Sequence, residues 1–382
     1  MTEKLCEADA YQKTFTARVV SCHEGLRGWE IVLDRTAFYP EGGGQAGDIG
    51  TLGGVRVTDT QEQDGEIVHY CDGELPIGGE VTGTIDWARR FDLMQQHSGE
   101  HIVSGLVHRR VGYNNVGFHM GASVTAIDFD GVVTAGELSE IERQANEIVW
   151  ADVPVESAFP SPEELEKIEY RSKKELHGAV RIVTIPGADV CACCGTHVAR
   201  TGEIGLIRFL SCQKLRQGVR VELVCSARAY DYAAAAMEQN RRVSNLLSAG
   251  PLKTAEAVQR LQAECQDANY RLVGLENRLF ALRAEALAGA GDAVLFEPDL
   301  TPDALRRLCD AVMKRCGGLC TAFSGSDDTG YKYAVGHSQG DVRAFVKEMN
   351  AALHGRGGGK PALAQGSVNA SRSEIEAFFL NR

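Results

Sequence analysis

Residues 191–197 read "CACCGTH", which places three thiols and an imidazole within seven positions. A cluster of soft donors this dense points to metal binding or to redox chemistry, and its reading decides how the rest of the chain is parsed. Working outward, the first partner is "QHSGEH" at 96–101, where His97 and His101 are four apart in a stretch of helical periodicity. Both imidazoles then leave one face of a helix a single turn apart. Cys193 and His197 repeat that spacing around a bend at Gly195. One thiolate and three imidazoles make a chemically sensible zinc shell. Cys191 and Cys194 also form a C-x-x-C pair, so spacing alone leaves a redox or cysteine-based zinc reading open. His108 lies roughly 10 Å further along the helix axis and reads as structural.

The chain around this cluster has 382 residues, 44% hydrophobic and 24% charged. That is enough for two or three domains with their own cores, in a composition ordinary for globular proteins. No apolar run approaches the roughly 18 residues of a membrane span, and "MTEKLCEADAYQKTF" lacks a cationic stretch followed by an apolar one. The expectation is a cytoplasmic protein. Its 12 cysteines are scattered, which favours reduced, half-buried thiols over a disulfide framework. A net charge of -12 argues against broad nucleic-acid affinity. Acidic and basic side chains balance over 291–382, so a local basic surface there stays open.

Along the chain, "FTARVVSC", "WEIVLD", "VRVTDT", "EIVHYC" and "VTGTIDW" alternate between turns over about 14–87, as in a small antiparallel β barrel or sandwich. "RRFDLMQQHSGEHIVSGLVHRRVG" then predicts a helix over 89–112, and strands such as "SVTAIDF" and "VRIVTI" with a helix at 137–150 complete an α+β domain. Two helices separated by Gly250-Pro251 follow. In the second, Leu261, Cys265, Ala268, Leu272, Leu275, Leu279, Leu282 and Ala286 form a heptad seam, suited either to a hairpin packed on itself or to a homodimer. The expected division is a β-barrel domain at 1–88, a zinc-containing α+β domain at 89–227, a helical linker at 228–290 and an α/β domain at 291–382.

Three strings carry a family resemblance. "LDRTAFYPEGGGQAGDIGTL" (33–52), "QQHSGEHIVSGLV" (95–107) and "CCGTHVARTGEIGLIRFLS" (193–211) resemble, in order and separation, the editing domain of alanyl-tRNA synthetase and its freestanding AlaX relatives. The threonyl-tRNA synthetase editing domain shares the two four-residue spacings but not the "FYPEGGGQ" region. "GRGGGKPALAQGSV" (355–368) resembles the C-terminal domain of alanyl-tRNA synthetase, which also accompanies DHH phosphoesterases. Together with the helical segment, this matches the long form of AlaX. No Asp-His-His string accompanies it.

The resemblance aligns zinc ligands with His97, His101, Cys193 and His197, in favour of Cys193 over its cysteine neighbours. It implies hydrolysis of the ester joining a wrong amino acid, chiefly serine and alternatively glycine, to the 3′ end of alanine tRNA. A chain that begins almost at the barrel is expected to edit in trans and to activate no amino acid. A pocket sized for alanine rejects an added hydroxyl poorly, so a second site must recognise it. Thr36 is the candidate for that hydroxyl, Gln45 for an ester or ribose oxygen, and His119 for the attacking water or the substrate. Glu100 reads as a solvated helix carboxylate.

Gly42, Gly43 and Gly44 could bring backbone close to the terminal adenosine. Arg356 and Lys360, around Gly357, Gly358 and Gly359, are the candidate tRNA-phosphate contacts. Arg89 and Arg90 read as a surface pair within reach of an acceptor end. The rival readings are a noncatalytic tRNA-binding module and a zinc hydrolase of another ester or of a phosphate.

Overall fold

The computed structural model describes residues 1–172 and 179–381, which form two compact units, Met1–Gln239 and Asn240–Arg382. The architecture is α+β, with several separate sheets.

In the first unit, six strands hydrogen-bond in a closed circuit: β1 (Thr14–Gly25), β2 (Gly28–Leu33), β3 (Gly50–Leu52), β4 (Val55–Gln63), β5 (Glu66–Cys71) and β6 (Glu80–Ile85). Every pairing is antiparallel, and β1 closes on β6 with Thr14 opposite Thr84. The alternation in "TFTARVV" and "EVTGTI" explains this: Phe15, Ala17 and Val19 meet Val81 and Ile85 inside, while the intervening polar residues face out.

Helix α1 (Trp87–Val111) follows. Asp86 caps it by accepting from the Arg89 amide, and Gly112 ends it in the left-handed conformation at φ 76°. Every residue from Leu93 to Val107 is buried. A helix covered on all sides has no polar face to give to water, so each of its polar side chains must find an internal partner. An antiparallel sheet in the order β12-β13-β8-β7 packs on it, built from β7 (Asn115–Met120), β8 (Thr125–Phe129), β12 (Ile207–Lys214) and β13 (Val219–Cys225). Helix α2 (Ala135–Trp150) adds Leu138, Ile141, Ala145 and Val149 to the same core. A smaller antiparallel sheet joins β9 (Glu156–Ala158), β10 (Ile182–Ile185) and β11 (Asp189–Ala192).

Helix α3 (Ser226–Leu246) crosses from the first unit into the second, where α4 (Thr254–Ala286) follows. Among the described residues the heptad seam is largely exposed: Leu272 is 54%, Leu275 63% and Leu282 70% exposed. Instead Phe280 and Ala284, on a different stripe of α4, enter the core with Leu305, Leu308 and Val312. That corrects the self-packed hairpin.

The remaining elements are β14 (Gly291–Glu297), α5 (Pro302–Cys316), β15 (Gly317–Ser326), β16 (Gly330–His337), α6 (Arg343–Ala352), β17 (Arg356–Lys360), β18 (Leu363–Val368) and α7 (Arg372–Leu380). The sheet order is β14-β15-β16-β18-β17. Only β14 and β15 run parallel, connected through α5, so the sheet is mixed.

Candidate metal centre

One turn of α1 presents His97 and His101, and the loop after β11 presents Cys193 and His197. Their ligand atoms all lie within 4.8 Å of one another. The Cys193 sulfur is 3.5 Å from His97 Nε2 and 3.5 Å from His197 Nε2. The ring centroids of the three histidines stand 4.5 to 5.2 Å apart. The four residues the spacing singled out therefore converge, and they could hold one metal ion. Gly195 makes the approach feasible, because a Cβ there would sit 2.2 Å from His97 Cε1.

Each imidazole is oriented through its other nitrogen. His97 Nδ1 bonds Gln45 Oε1 at 2.9 Å, and that oxygen also accepts from the Thr196 amide while Gln45 Nε2 donates to Thr196 Oγ1 at 2.7 Å. His101 Nδ1 bonds Asp189 Oδ2 at 2.9 Å. His197 Nδ1 meets Ser98 Oγ at 3.2 Å. In this arrangement Nε2 of all three rings is turned toward Cys193, the pattern in which outer partners fix tautomer and direction for a metal. Asp189 is in turn clamped by Arg171, with Nε to Oδ1 at 2.8 Å and Nη2 to Oδ2 at 2.7 Å. Gly105 permits this junction, since a Cβ on α1 at that point would lie 2.3 Å from Ala188 O.

The electrostatics of the metal-free cluster favour a thiolate and a neutral His197, whereas at His101 burial is overcome by Cys193 and Asp189, which hold the ring well above its ordinary value, so a metal would have to displace that ring's proton. Burial alone would raise the Cys193 thiol, but the charges of His97 and His101 and hydrogen bonds from His101 and His197 hold it well below its ordinary value. A thiolate is the form that binds metal. Burial pushes His197 down to about 3, and the neutral ring is the ligating form. Burial would raise the Asp189 carboxyl, yet its bonds to His101 and Arg171 bring it down to about 2.

The donors open onto a cavity of about 530 Å³ bordered by Gly43, Gly44, Val116, Phe118, Arg181 and the cysteines 191, 193 and 194, among others. Gly43 and Gly44, both at positive φ, form a two-residue turn closed by reciprocal bonds between Gly42 and Gln45. Gly44 must lack a side chain because a Cβ would sit 2.5 Å from the Phe118 ring.

The other expected site residues fall elsewhere. Gln45 is fully buried and spent on His97 and Thr196. Thr36 is also fully buried: its hydroxyl bonds His69 Nε2 at 2.9 Å and accepts from the Phe38 amide, inside the strand circuit. His119 is exposed on the opposite face of β7 from Val116 and Phe118, as two-residue alternation requires. The residue of that strand beside the metal donors is Phe118, whose ring lies 5.2 Å from His97.

Two readings of α1 are corrected. Glu100 is not solvated but fully buried, accepting from Ser104 Oγ at 2.6 Å and Asn115 Nδ2 at 2.5 Å. Arg90 is not at the surface. Its guanidinium is fully buried against Asp48, with Nε to Oδ2 at 2.8 Å, and ties α1 to the strand circuit through the carbonyls of Ala10 and Ala37. Asp189, Ser98, Arg171 and Arg181 were not anticipated; Ser98 and Asp189 lie within four positions of a donor along the chain, and Arg171 and Arg181 carried no sequence signal.

In the second unit, "RGGGK" is an edge strand rather than a loop, and Arg356, Gly357, Gly358, Gly359 and Lys360 are all exposed. Its glycines serve internal packing. A Cβ on Gly357 would lie 2.5 Å from Tyr333 Oη, and one on Gly359 would lie 2.4 Å from Leu363 O. Only at Gly358 does a side chain find open space.

Fold and site together define a class: an α+β unit carrying a cysteine–histidine cluster that could hold a metal, followed along the chain by a second α+β unit. Family models match in three places. Residues 3–89 match the class II (A) tRNA synthetases, 180–221 the second additional domain of threonyl and alanyl tRNA synthetases, and 289–379 the DHHA1 domain. The chain belongs to the alanyl-tRNA editing protein family. It is 31% identical to the alanyl-tRNA editing protein AlaX-L of Pyrococcus horikoshii, over 98% of this chain and 96% of that protein. It is 29% identical to the alanyl-tRNA editing protein Aarsd1 of Danio rerio, over 99% and 97%. The alanine–tRNA ligase of Ignicoccus hospitalis is 32% identical over 80% of this chain but 36% of the ligase. No described helix is long and apolar enough to cross a membrane.

Proposed function

We propose that the protein is a trans-editing aminoacyl-tRNA deacylase that binds zinc through His97, His101, Cys193 and His197 and hydrolyses mischarged alanine tRNA, with Ser-tRNA-Ala as the preferred substrate. The observation that carries the metal reading is the pair of sulfur–nitrogen distances. Tetrahedral zinc with bonds of about 2.3 Å to sulfur and 2.05 Å to nitrogen sets an S···N edge of about 3.6 Å. Both edges in the structure are 3.5 Å. The substrate class rests on the family, whose named members are alanyl-tRNA editing proteins.

In ester hydrolysis, a water oxygen bonds to the carbonyl carbon, the bond to the ribose oxygen breaks, and the proton ends on that oxygen. A bound zinc supplies Lewis acidity and a fixed positive charge at the cavity. With four protein ligands its shell would be of the closed type, so in this reading it would chiefly organise the pocket. The chain's own residues shape the rest. Phe118 and Val116 give the cavity an apolar border, and Gly43, with nothing within 4 Å of where a Cβ would sit, leaves room for a nucleotide to approach backbone. Gln45 acts through His97 rather than on the substrate, and Thr36 through the His69 network.

The test is a deacylation assay on Ser-, Gly- and Ala-tRNA-Ala, with and without a zinc chelator. The expected result is rapid loss of the serine ester, slow loss of the alanine ester, and inhibition by chelation. Equal rates on serine and alanine esters would remove the specificity. Tight binding of charged tRNA with the ester intact would establish the noncatalytic reading instead.

A further inference from the structure

Arg181 is a buried cation that the proposed chemistry does not use. Only 6% of it is exposed, and it borders the same cavity as the metal donors. Nη1 donates to the carbonyls of Cys193, at 3.1 Å, and of Gly195, at 2.8 Å, while Nη2 donates to Ser157 Oγ at 2.9 Å. Its backbone takes part as well, since the Cys193 amide donates to the Arg181 carbonyl at 3.0 Å. The turn 193–195 is thus gripped by one residue from both its main chain and its side chain. Among the described residues Arg181 has no carboxylate partner, and its buried Nε has no hydrogen-bond acceptor. Burying a guanidinium without a counter-anion is costly. What it gains here is a fixed position for two carbonyls on either side of the Cys194 peptide.

That position matters because the Cys193 sulfur has little else to aim it. The three imidazoles are oriented by Gln45, Asp189 and Ser98 through their second nitrogens, whereas a thiolate has no second nitrogen to hold. Its direction follows from the backbone of the turn, supported by the Gly195 amide, which donates to Sγ at 3.4 Å. The same turn must also keep Gly195 against the His97 ring without clashing.

We propose that Arg181 is a positioning residue for the metal centre, which by holding the Cys193 and Gly195 carbonyls fixes the turn that aims the Cys193 sulfur at the three imidazoles. This rests on the four-donor metal reading. It assigns cysteine ligation, specifically, to a residue that touches no metal. Lysine is a poor substitute, because its shorter side chain ends in a compact ammonium without the planar fork that serves two carbonyls and Ser157 at once.

The experiment measures cobalt(II) and zinc binding to the full chain by competition with a chromophoric chelator, and records the thiolate-to-cobalt charge-transfer band, for wild type, R181M, R181K and S157A. Loss of an outer partner typically lowers metal affinity by roughly 10–100-fold. R181M is expected to fall in that range and to lose intensity in the thiolate band relative to the d–d bands that report the histidines. R181K should lie between R181M and wild type, and S157A, which leaves both carbonyl contacts in place, should stay within about threefold of wild type. Should R181M fail to fold, the ordering of R181K and S157A carries the test. Wild-type affinity with an undiminished thiolate band in R181M, or in R181K if only that folds, overturns the proposal. A wild-type protein that binds neither metal overturns the metal reading itself, a separate outcome.

Discussion

Two glycine runs, "EGGGQ" at 41–45 and "RGGGK" at 356–360, look alike in sequence and are used differently. In the first, Gly43 and Gly44 make a tight turn at positive φ that borders the cavity and delivers Gln45 to His97. In the second, the glycines pair along an edge strand, and two of the three are required by atoms of the sheet beneath them. A glycine run therefore carries no function of its own. What decides its use is the atom that a Cβ would have met.

The largest effect that sharpens this contrast belongs to the first region. Cys193→Ala is expected to lower metal affinity by more than the roughly 10–100-fold that loss of an outer partner costs, with deacylation lost in parallel. Equilibrium dialysis against zinc reads it, and retained stoichiometric binding would sink the four-donor site.

Next in size is the His69–Thr36 network. Burial holds His69 down to about 4, below the ordinary value of about 6.5. The unfolded chain therefore takes up the proton first, so the stability His69 contributes is full above about pH 6.5 and is lost as pH falls toward 4. The loss is on the order of 3 kcal/mol. Urea unfolding of the metal-free protein should show this slope, and His69→Gln should flatten it. Thr36→Val strips His69 Nε2 and the Phe38 amide of their partner and should cost about 1–3 kcal/mol without altering the preference for serine over alanine esters. Loss of that preference at unchanged stability would return Thr36 to the substrate.

In the second glycine run, Gly357→Ala should destabilise the protein by about 1–3 kcal/mol through overpacking against Tyr333 and Gln365. Gly358→Ala, facing open space, should change stability by no more than about 0.5 kcal/mol. If the strand also contacts tRNA, Lys360→Ala should weaken tRNA binding and reduce its salt dependence, and Gly358→Ala should weaken it by bulk alone with the salt dependence unchanged, while the melting temperature stays put in both. Unchanged affinity in both variants would leave the run with a packing role alone.

Sequence reasoning reached different depths in different places. His97 with His101, and Cys193 with His197, were legible because a four-residue spacing is a property of the local chain. The outward-facing alternation of β1 and β6 was legible for the same reason. His119 was expected at the pocket from the resemblance alone; it is exposed, and the residue of β7 beside His97 is its neighbour Phe118. Glu100 and Arg90 were read as solvated because charged residues on a helix usually are. Their burial follows from the sheet, α2 and β11 packing around α1 and, at Arg90, from Asp48 and the Ala10 and Ala37 carbonyls, which no window of α1 encodes.

The sequence by itself determined the donor types, their spacing and the order of elements that carry them. Tertiary structure decided what each donor leans on, because those partners come from distant segments: Gln45 is 52 positions from His97, Asp189 is 88 from His101, and Ser98 is 99 from His197. A ligand's chemistry is local to its residue, whereas its direction is set by whichever group the fold places behind it.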